Sequence, residues 1–354
     1  MDNILPAYDD PLFSILIIVI LILIVAISSY VMGNIKEERK KKSLKHFLNR
    51  FNREKSGLEI EDMPFESRLI KPLKLLAFAF KSQGEYQKAI NLNLYLIKNI
   101  ANFQEKKEIL EQLAETYLKA GFLKRAEEIL LEILHKHARN KEALYSLNVV
   151  YELLHEYDKA LEVITPLKLL GEETQYLEAH LKLNKLLNDK RLNHKEKVEK
   201  LVGLLENNFY DYRRIIKALF QLDLDSAWRN LNPSKVDSII DVLWFLPLSN
   251  LNFDIISSDK ILSAIFFAKG SLTLDEKPKE KLIKKSNIFV IDTIVSAKIG
   301  GNDNVDITFS YGCSRCKQHF PIAFTRCPQC YAIYAIQIKE TIAKKRSQIG
   351  YSLL

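Results

Sequence analysis

Leu113-Ala-Glu-Thr-Tyr117-Leu-Lys-Ala120-Gly121-Phe122-Leu123-Lys-Arg-Ala126 and Leu147-Asn-Val-Val-Tyr151-Glu-Leu-Leu-His155-Glu-Tyr157-Asp-Lys-Ala160 carry one pattern twice, 34 residues apart. Leu113, Tyr117, Leu123 and Ala126 return as Leu147, Tyr151, Tyr157 and Ala160. A third copy lies upstream at an offset of 37, as Leu76, Phe80, Gly84, Tyr86 and Ala89, with a short insertion around 102–105. Apolar residues at helical spacing on both sides of each turn predict a helical hairpin. The large residue of the first helix (Phe80, Tyr117, Tyr151) faces the small one of the second (Ala89, Ala126, Ala160), because two helices approach closely only where a side chain is small. Gly84 and Gly121 supply two of the turns, and His155 stands where the third would have glycine.

This period resembles the tetratricopeptide repeat, and the three units occupy 67–171. Beyond them, helical spacing continues over 174–188, 194–207, 210–222 and 234–246, then through an apolar stretch at 264–268. Region 172–285 therefore reads as degenerate hairpins and a cap, with Trp228, Trp244 and Phe245 in its core. Only 11 Gly and 10 Pro among 354 residues leave little room for a turn-rich sandwich or barrel. The fold class expected is mostly α: one N-terminal transmembrane helix, a tetratricopeptide-type α-solenoid and a small C-terminal β zinc ribbon.

A repeat stack presents the first helix of each unit on its concave face. Those positions give Lys71, Lys74, Phe78 and Lys81, then Glu108, Glu111, Glu115 and Leu118, then Glu142, Tyr145, Val149 and Glu152. They predict a client groove with acidic residues beyond a basic end. The same acidic residues stand where chaperone-tail adaptors carry a Lys/Asn clamp, which disfavours that role.

Residues 12–33 contain no charged side chain and are long enough, at about 1.5 Å per residue, to cross a hydrocarbon core of about 30 Å. Asp2, Asp9 and Asp10 precede this span, and nine Lys/Arg against three Glu follow it over 36–55. The positive flank predicts a single pass with 1–11 outside and a basic juxtamembrane linker, 34–66, inside. That block supplies six of the eight net positive charges, so the basic balance marks membrane topology rather than nucleic acid.

Cys313-Ser-Arg-Cys316 and Cys327-Pro-Gln-Cys330 form two C-x-x-C pairs. Each pair bends the backbone into a knuckle that offers two thiolates to one ion. Alternating residues at 305–311 and 331–338 predict flanking strands, giving a rubredoxin-like ribbon over 305–340. A linker or strand at 286–304 leads in, and a tail at 341–354 follows. Four thiolates close the coordination sphere, which favours structural zinc over a catalytic metal. Iron would use the same ligands, but nothing in the sequence offers a redox partner domain. Arg315, Lys317 and Arg326 lie close enough in sequence to offset the negative centre, and His319 is surplus to the ligand set.

Anchor, repeats and ribbon together resemble the lipopolysaccharide assembly protein B family of Gram-negative bacteria. The resemblance is most specific from Tyr311-Gly-Cys313 through Cys330, and extends over 110–171 at Leu113, Tyr117, Ala120-Gly121, Arg125-Ala126-Glu127 and Lys159-Ala160. Residues 172–300 follow it poorly, and Lys317 replaces a frequent glycine. The resemblance implies a non-enzymatic adaptor of the inner membrane, its N-terminus periplasmic and its main part cytoplasmic. It would act on protein clients with a membrane AAA protease that controls turnover of the lipid A deacetylase. The residues themselves support a cytoplasm-facing scaffold without nucleophile–base constellation or phosphate loop. A tethered scaffold for another envelope or division complex, and a tethered zinc-ribbon nucleic-acid binder, are the alternatives. No residue names the client or an oligomeric state.

Overall fold

The computed structural model describes residues 65–206, 211–272 and 286–345. The span at 12–33, its tail and most of the linker lie outside the described residues, among which no helix is long and apolar enough to cross a membrane. The protein is mostly helical, with a small three-stranded sheet at its C-terminal end that carries the four cysteines. It divides into two compact units between Ala120 and Gly121.

The first unit holds α1 (Ile70–Ser82), α2 (Tyr86–Asn99) and α3 (Phe103–Lys119). Leu73, Ala77 and Phe80 of α1 bury against Ala89, Leu92 and Leu96 of α2, with Ile109 of α3 in the same core. Ala89 is fully buried, as the close crossing requires. Asn102 caps α3, its side chain accepting from the Gln104 amide at 2.8 Å. Lys74 and Lys81 of α1 reach Glu108 and Glu115 of α3, each pair 34 residues apart. The turn glycine Gly84 has φ +81°, and a Cβ there would meet nothing within 4 Å. Backbone conformation, not crowding, selects glycine at this point.

The second unit begins with Gly121, also at φ +81°. It contains α4 (Leu123–Lys136), α5 (Lys141–Leu153), α6 (Tyr157–Glu162), α7 (Ile164–Leu169), α8 (Gln175–Asn188), α9 (His194–Glu206), α10 (Tyr212–Leu222) and α11 (Leu224–Arg229). His155 between α5 and α6 takes the same left-handed conformation, φ 60°, with its Nδ1 2.7 Å from the Tyr157 hydroxyl. Ala160 is fully buried, and its carbonyl accepts from Asn148 Nδ2 at 2.7 Å.

Next come α12 (Ile240–Trp244), α13 (Phe253–Ser258), α14 (Lys260–Lys269) and α15 (Phe289–Ile299). The helix expected over 234–246 is instead a 3-10 turn, Pro233–Ser238, followed by the five residues of α12. Ile239, at φ −133°, interrupts it. Trp228 and Trp244 are core residues, whereas Phe245 is 69% exposed and rests edge-on against Phe309.

The sheet has the order β2-β1-β3, all antiparallel, with β1 (Val305–Cys313), β2 (His319–Phe320) and β3 (Ile336–Lys344). The second long strand starts later than 331 because Tyr331 and Tyr334 have φ of 57° and 52°, which no strand accommodates, and it runs on past 340. Val305, Ile307, Phe309 and Ile338 join the large core built by α8 to α15, so the ribbon shares its interior with the helices.

Candidate metal centre and its docking face

Cys313 ends β1, and Cys316 closes the first knuckle. The Lys317 amide donates to the Cys313 carbonyl at 2.9 Å, and the Tyr331 amide donates to the Cys327 carbonyl at the same distance. Lys317 and Tyr331, each following the second cysteine of its pair, both lie in the left-handed region at φ 61° and 57°. The two knuckles are thus built alike, and lysine holds the backbone shape usually given to glycine.

The four Sγ atoms lie within 4.8 Å of one another. Cys313–Cys330 and Cys316–Cys327 are each 3.7 Å apart. A tetrahedral ion with metal–sulfur bonds of about 2.3 Å has sulfur–sulfur edges of roughly 3.8 Å, so the cluster can coordinate one metal ion. Burial raises the Cys313 thiol, but the Cys316 and Arg315 amides outweigh it and bring the group down to about 7. At Cys327 burial wins and pushes the thiol up to about 12 against the Cys330 and Gln329 amides. A divalent cation is the group that makes four such thiolates compatible with one small space. His319 is exposed and lies against Gly312, outside the ligand set.

Arg326, expected beside the negative centre, has hydrogen-bond partners other than the sulfurs. Its guanidinium donates from Nη1 to the Tyr331 carbonyl at 2.6 Å and from Nε to Glu152 Oε2 at 3.0 Å, with Nη2 on the same oxygen. Glu152 Oε1 takes His180 Nε2 at 2.8 Å and Asn184 Nδ2 at 3.2 Å. Behind them Arg214 Nη1 approaches His180 Nδ1 at 3.2 Å. An imidazole that donates through Nε2 and accepts at Nδ1 is neutral, and burial holds His180 below its ordinary range. Burial would raise the Glu152 carboxyl, but hydrogen bonds from His180 and Arg326 bring it to about 2. A second buried anchor joins Asp241 of α12 to Tyr311 of β1 and Arg213 of α10.

The residues read as a groove divide. In the first unit Phe78 is exposed with the Lys81 ammonium 4.9 Å from its ring centroid, Lys74 pairs with Glu108, and Lys107 lies 3.7 Å from Glu111. Glu115 is taken by Lys81, so the acidic row is neutralised rather than open. In the second unit Glu142 and Tyr145 are exposed, and the Tyr145 hydroxyl donates to Glu172 at 2.9 Å. Leu118, Val149 and Glu152 are buried and are not groove surface. Val149 and Glu152 lie in the second half of α5, which is covered almost all round. Nothing in the sequence announces the contacts of His180, Arg213, Arg214 and Tyr311; for Asp241 the one hint is its place as a lone aspartate inside Ile239-Ile240-Asp241-Val242-Leu243-Trp244.

Fold and site define a helical protein whose C-terminal four-cysteine ribbon is docked on its own helices through a buried ion pair, Arg326–Glu152, and a buried hydrogen bond, Tyr311–Asp241. Over 100 residues the chain is 28% identical to lipopolysaccharide assembly protein B of Escherichia coli strain K12, and equally to its counterparts in strains CFT073 and O157:H7. The match takes in 28% of this chain and 26% of each relative, about a quarter of the relatives' length. No family model matches the chain.

Proposed function

We propose that this chain is a membrane-anchored, non-enzymatic scaffold of the tetratricopeptide type that binds protein clients at the inner membrane in the service of lipopolysaccharide synthesis. Residues 12–33 would span the membrane once, N-terminus periplasmic, leaving repeats and ribbon in the cytoplasm. Cys313, Cys316, Cys327 and Cys330 would hold structural zinc, their closed set of four thiolates leaving no open position for a catalytic metal.

The observation that carries the client reading is the face of the first unit where α1 and α3 meet. Phe78 of α1 remains 51% exposed with the Lys81 ammonium 4.9 Å from its ring centroid, on the helix whose Lys74 and Lys81 pair with Glu108 and Glu115 of α3. An apolar anchor rimmed by paired charges suits a peptide segment. Glu142 and Tyr145 would offer client contacts of their own on the second unit. By the resemblance drawn from the sequence, the partners would be a membrane AAA protease and the lipid A deacetylase.

Deacetylase half-life in cells tests this reading. Removing residues 1–35, or replacing Phe78 by Ala, should change it. An unchanged half-life with both variants stably present would leave a tethered scaffold for some other envelope complex.

A further inference from the structure

Arg326 immediately precedes the metal-binding Cys327 in sequence, yet its guanidinium serves two partners that are not sulfur. Nη1 is tied to Tyr331 O at 2.6 Å, inside the knuckle; Nε and Nη2 hold Glu152, 174 residues earlier on α5. Tyr331 is also the left-handed residue whose amide closes the knuckle on the Cys327 carbonyl. The backbone that presents two sulfurs is therefore the backbone that aims the guanidinium.

Glu152 depends on that aim. It is buried, and its other oxygen is met by His180 and Asn184, both uncharged. Arg326 is the cation that hydrogen-bonds to it among the described residues. Separating them would strand a carboxylate in a water-poor site, which is strongly unfavourable unless the surface opens to water. Tyr334 adds a second point of attachment, its ring edge-on to His180 at 5.9 Å and to Tyr176 at 6.3 Å. The ribbon's private core is only Cys313, Cys327 and Ala335, flanked by a few partly buried side chains. So small a core cannot order the knuckle without its metal.

We propose that metal binding at the four cysteines latches the ribbon onto α5 and α8, and that metal loss releases Arg326 from Glu152 and uncovers that helical face. This rests on the reading of the four cysteines as a metal centre. The segment from Arg326 to Tyr334 is then a cover supplied by the chain itself, lying on the third repeat, where a client groove was expected from the sequence. Metal occupancy becomes the control on whether that surface is open.

The test is hydrogen–deuterium exchange on the full chain in detergent, as purified and after treatment with a metal chelator, with metal content measured on both samples. Metal removal should speed exchange in α5 and α8 about tenfold while leaving α1 unchanged, and restoring zinc should reverse the effect. Arg326→Gln should produce the same acceleration in α5 and α8 while still holding its metal. Should that variant fail to fold, Glu152→Gln carries the test, because without the charge chelation should accelerate exchange in α8 less than in the parent. Full protection of α5 and α8 in the stripped chain overturns the latch, as does equal acceleration in Glu152→Gln. A purified chain that holds no metal overturns the metal reading instead, so the two failures are distinguishable.

Discussion

The Tyr311 hydroxyl donates to Asp241 Oδ2 at 2.8 Å, and the same carboxylate receives both Nη atoms of Arg213 at 2.5 and 2.7 Å. A residue of β1 thus completes an ion pair between two helices. Burial alone would raise the Asp241 carboxyl, yet Arg213 and Tyr311 hold it below its ordinary range. The two substitutions here should differ in size. Tyr311→Phe removes one donor and should cost about 1 kcal/mol, whereas Arg213→Met strands a buried charge and should cost about 3–5 kcal/mol. Chemical unfolding of the purified chain separates them; equal losses would mean that Arg213 does not neutralise Asp241.

The metal centre gives the second prediction. Purified protein should contain one zinc per chain, and Cys316→Ser or Cys330→Ser should lower that content and expose residues 305–345 to protease. Stoichiometric iron with visible thiolate charge-transfer bands would replace zinc in the proposal.

Acid should act through Glu152. Its carboxyl sits at about 2 in the folded chain against an ordinary 4.5, so it remains charged when folded at pH values where the unfolded chain takes up a proton. The stability it contributes is fully present above pH 4.5 and is lost as pH falls toward 2. The groups facing it are His180, Asn184 and Arg326, with Arg214 and Asp211 behind. Unfolding free energy against pH should fall more steeply for the parent than for Glu152→Gln across this window. Parallel curves would remove Glu152 from the account.

The helix crossings supply a fourth. Ala89 and Ala160 are fully buried, and leucine at either should overpack the crossing by about 1–3 kcal/mol. Thermal unfolding of both variants checks it, and two neutral results would break the assigned register.

Asn93 on α2 is fully buried, and neither its Oδ1 nor its Nδ2 has a hydrogen-bond partner among the described residues. Asn93→Leu should therefore stabilise the first unit by about 1–2 kcal/mol. A lower unfolding midpoint for this variant would show that water or another segment satisfies the amide.

The hairpins were readable because each repeats one local solution: a small residue at the crossing and a left-handed turn, seen at Gly84 and Gly121 and kept at His155. The sulfur cluster was readable for a similar reason, since four cysteines at fixed spacing leave few geometries. What escaped reading depends on residues distant in sequence. Glu152 follows the helical period of an exposed row, but His180, Asn184 and Arg326, all distant in sequence, enclose it. Leu118 and Val149 also follow the phase of a free face, but their neighbours cover them. Tyr331 and Tyr334 alternate like strand residues, yet the knuckle bends them out of extended conformation.

The distance between Glu152 and Arg326 matters during synthesis. At about 5–20 residues per second, Glu152 leaves the ribosome roughly 9 to 35 seconds before the segment that neutralises it, 174 residues later. Through that interval the nascent helices carry an unmatched carboxylate, and for most of it they lack the strand residues Ile307 and Phe309 that finish their core. The last seventh of the chain thus decides when the earlier helices settle, and a ribosome stalled before codon 326 would leave a scaffold that is helical but unsealed.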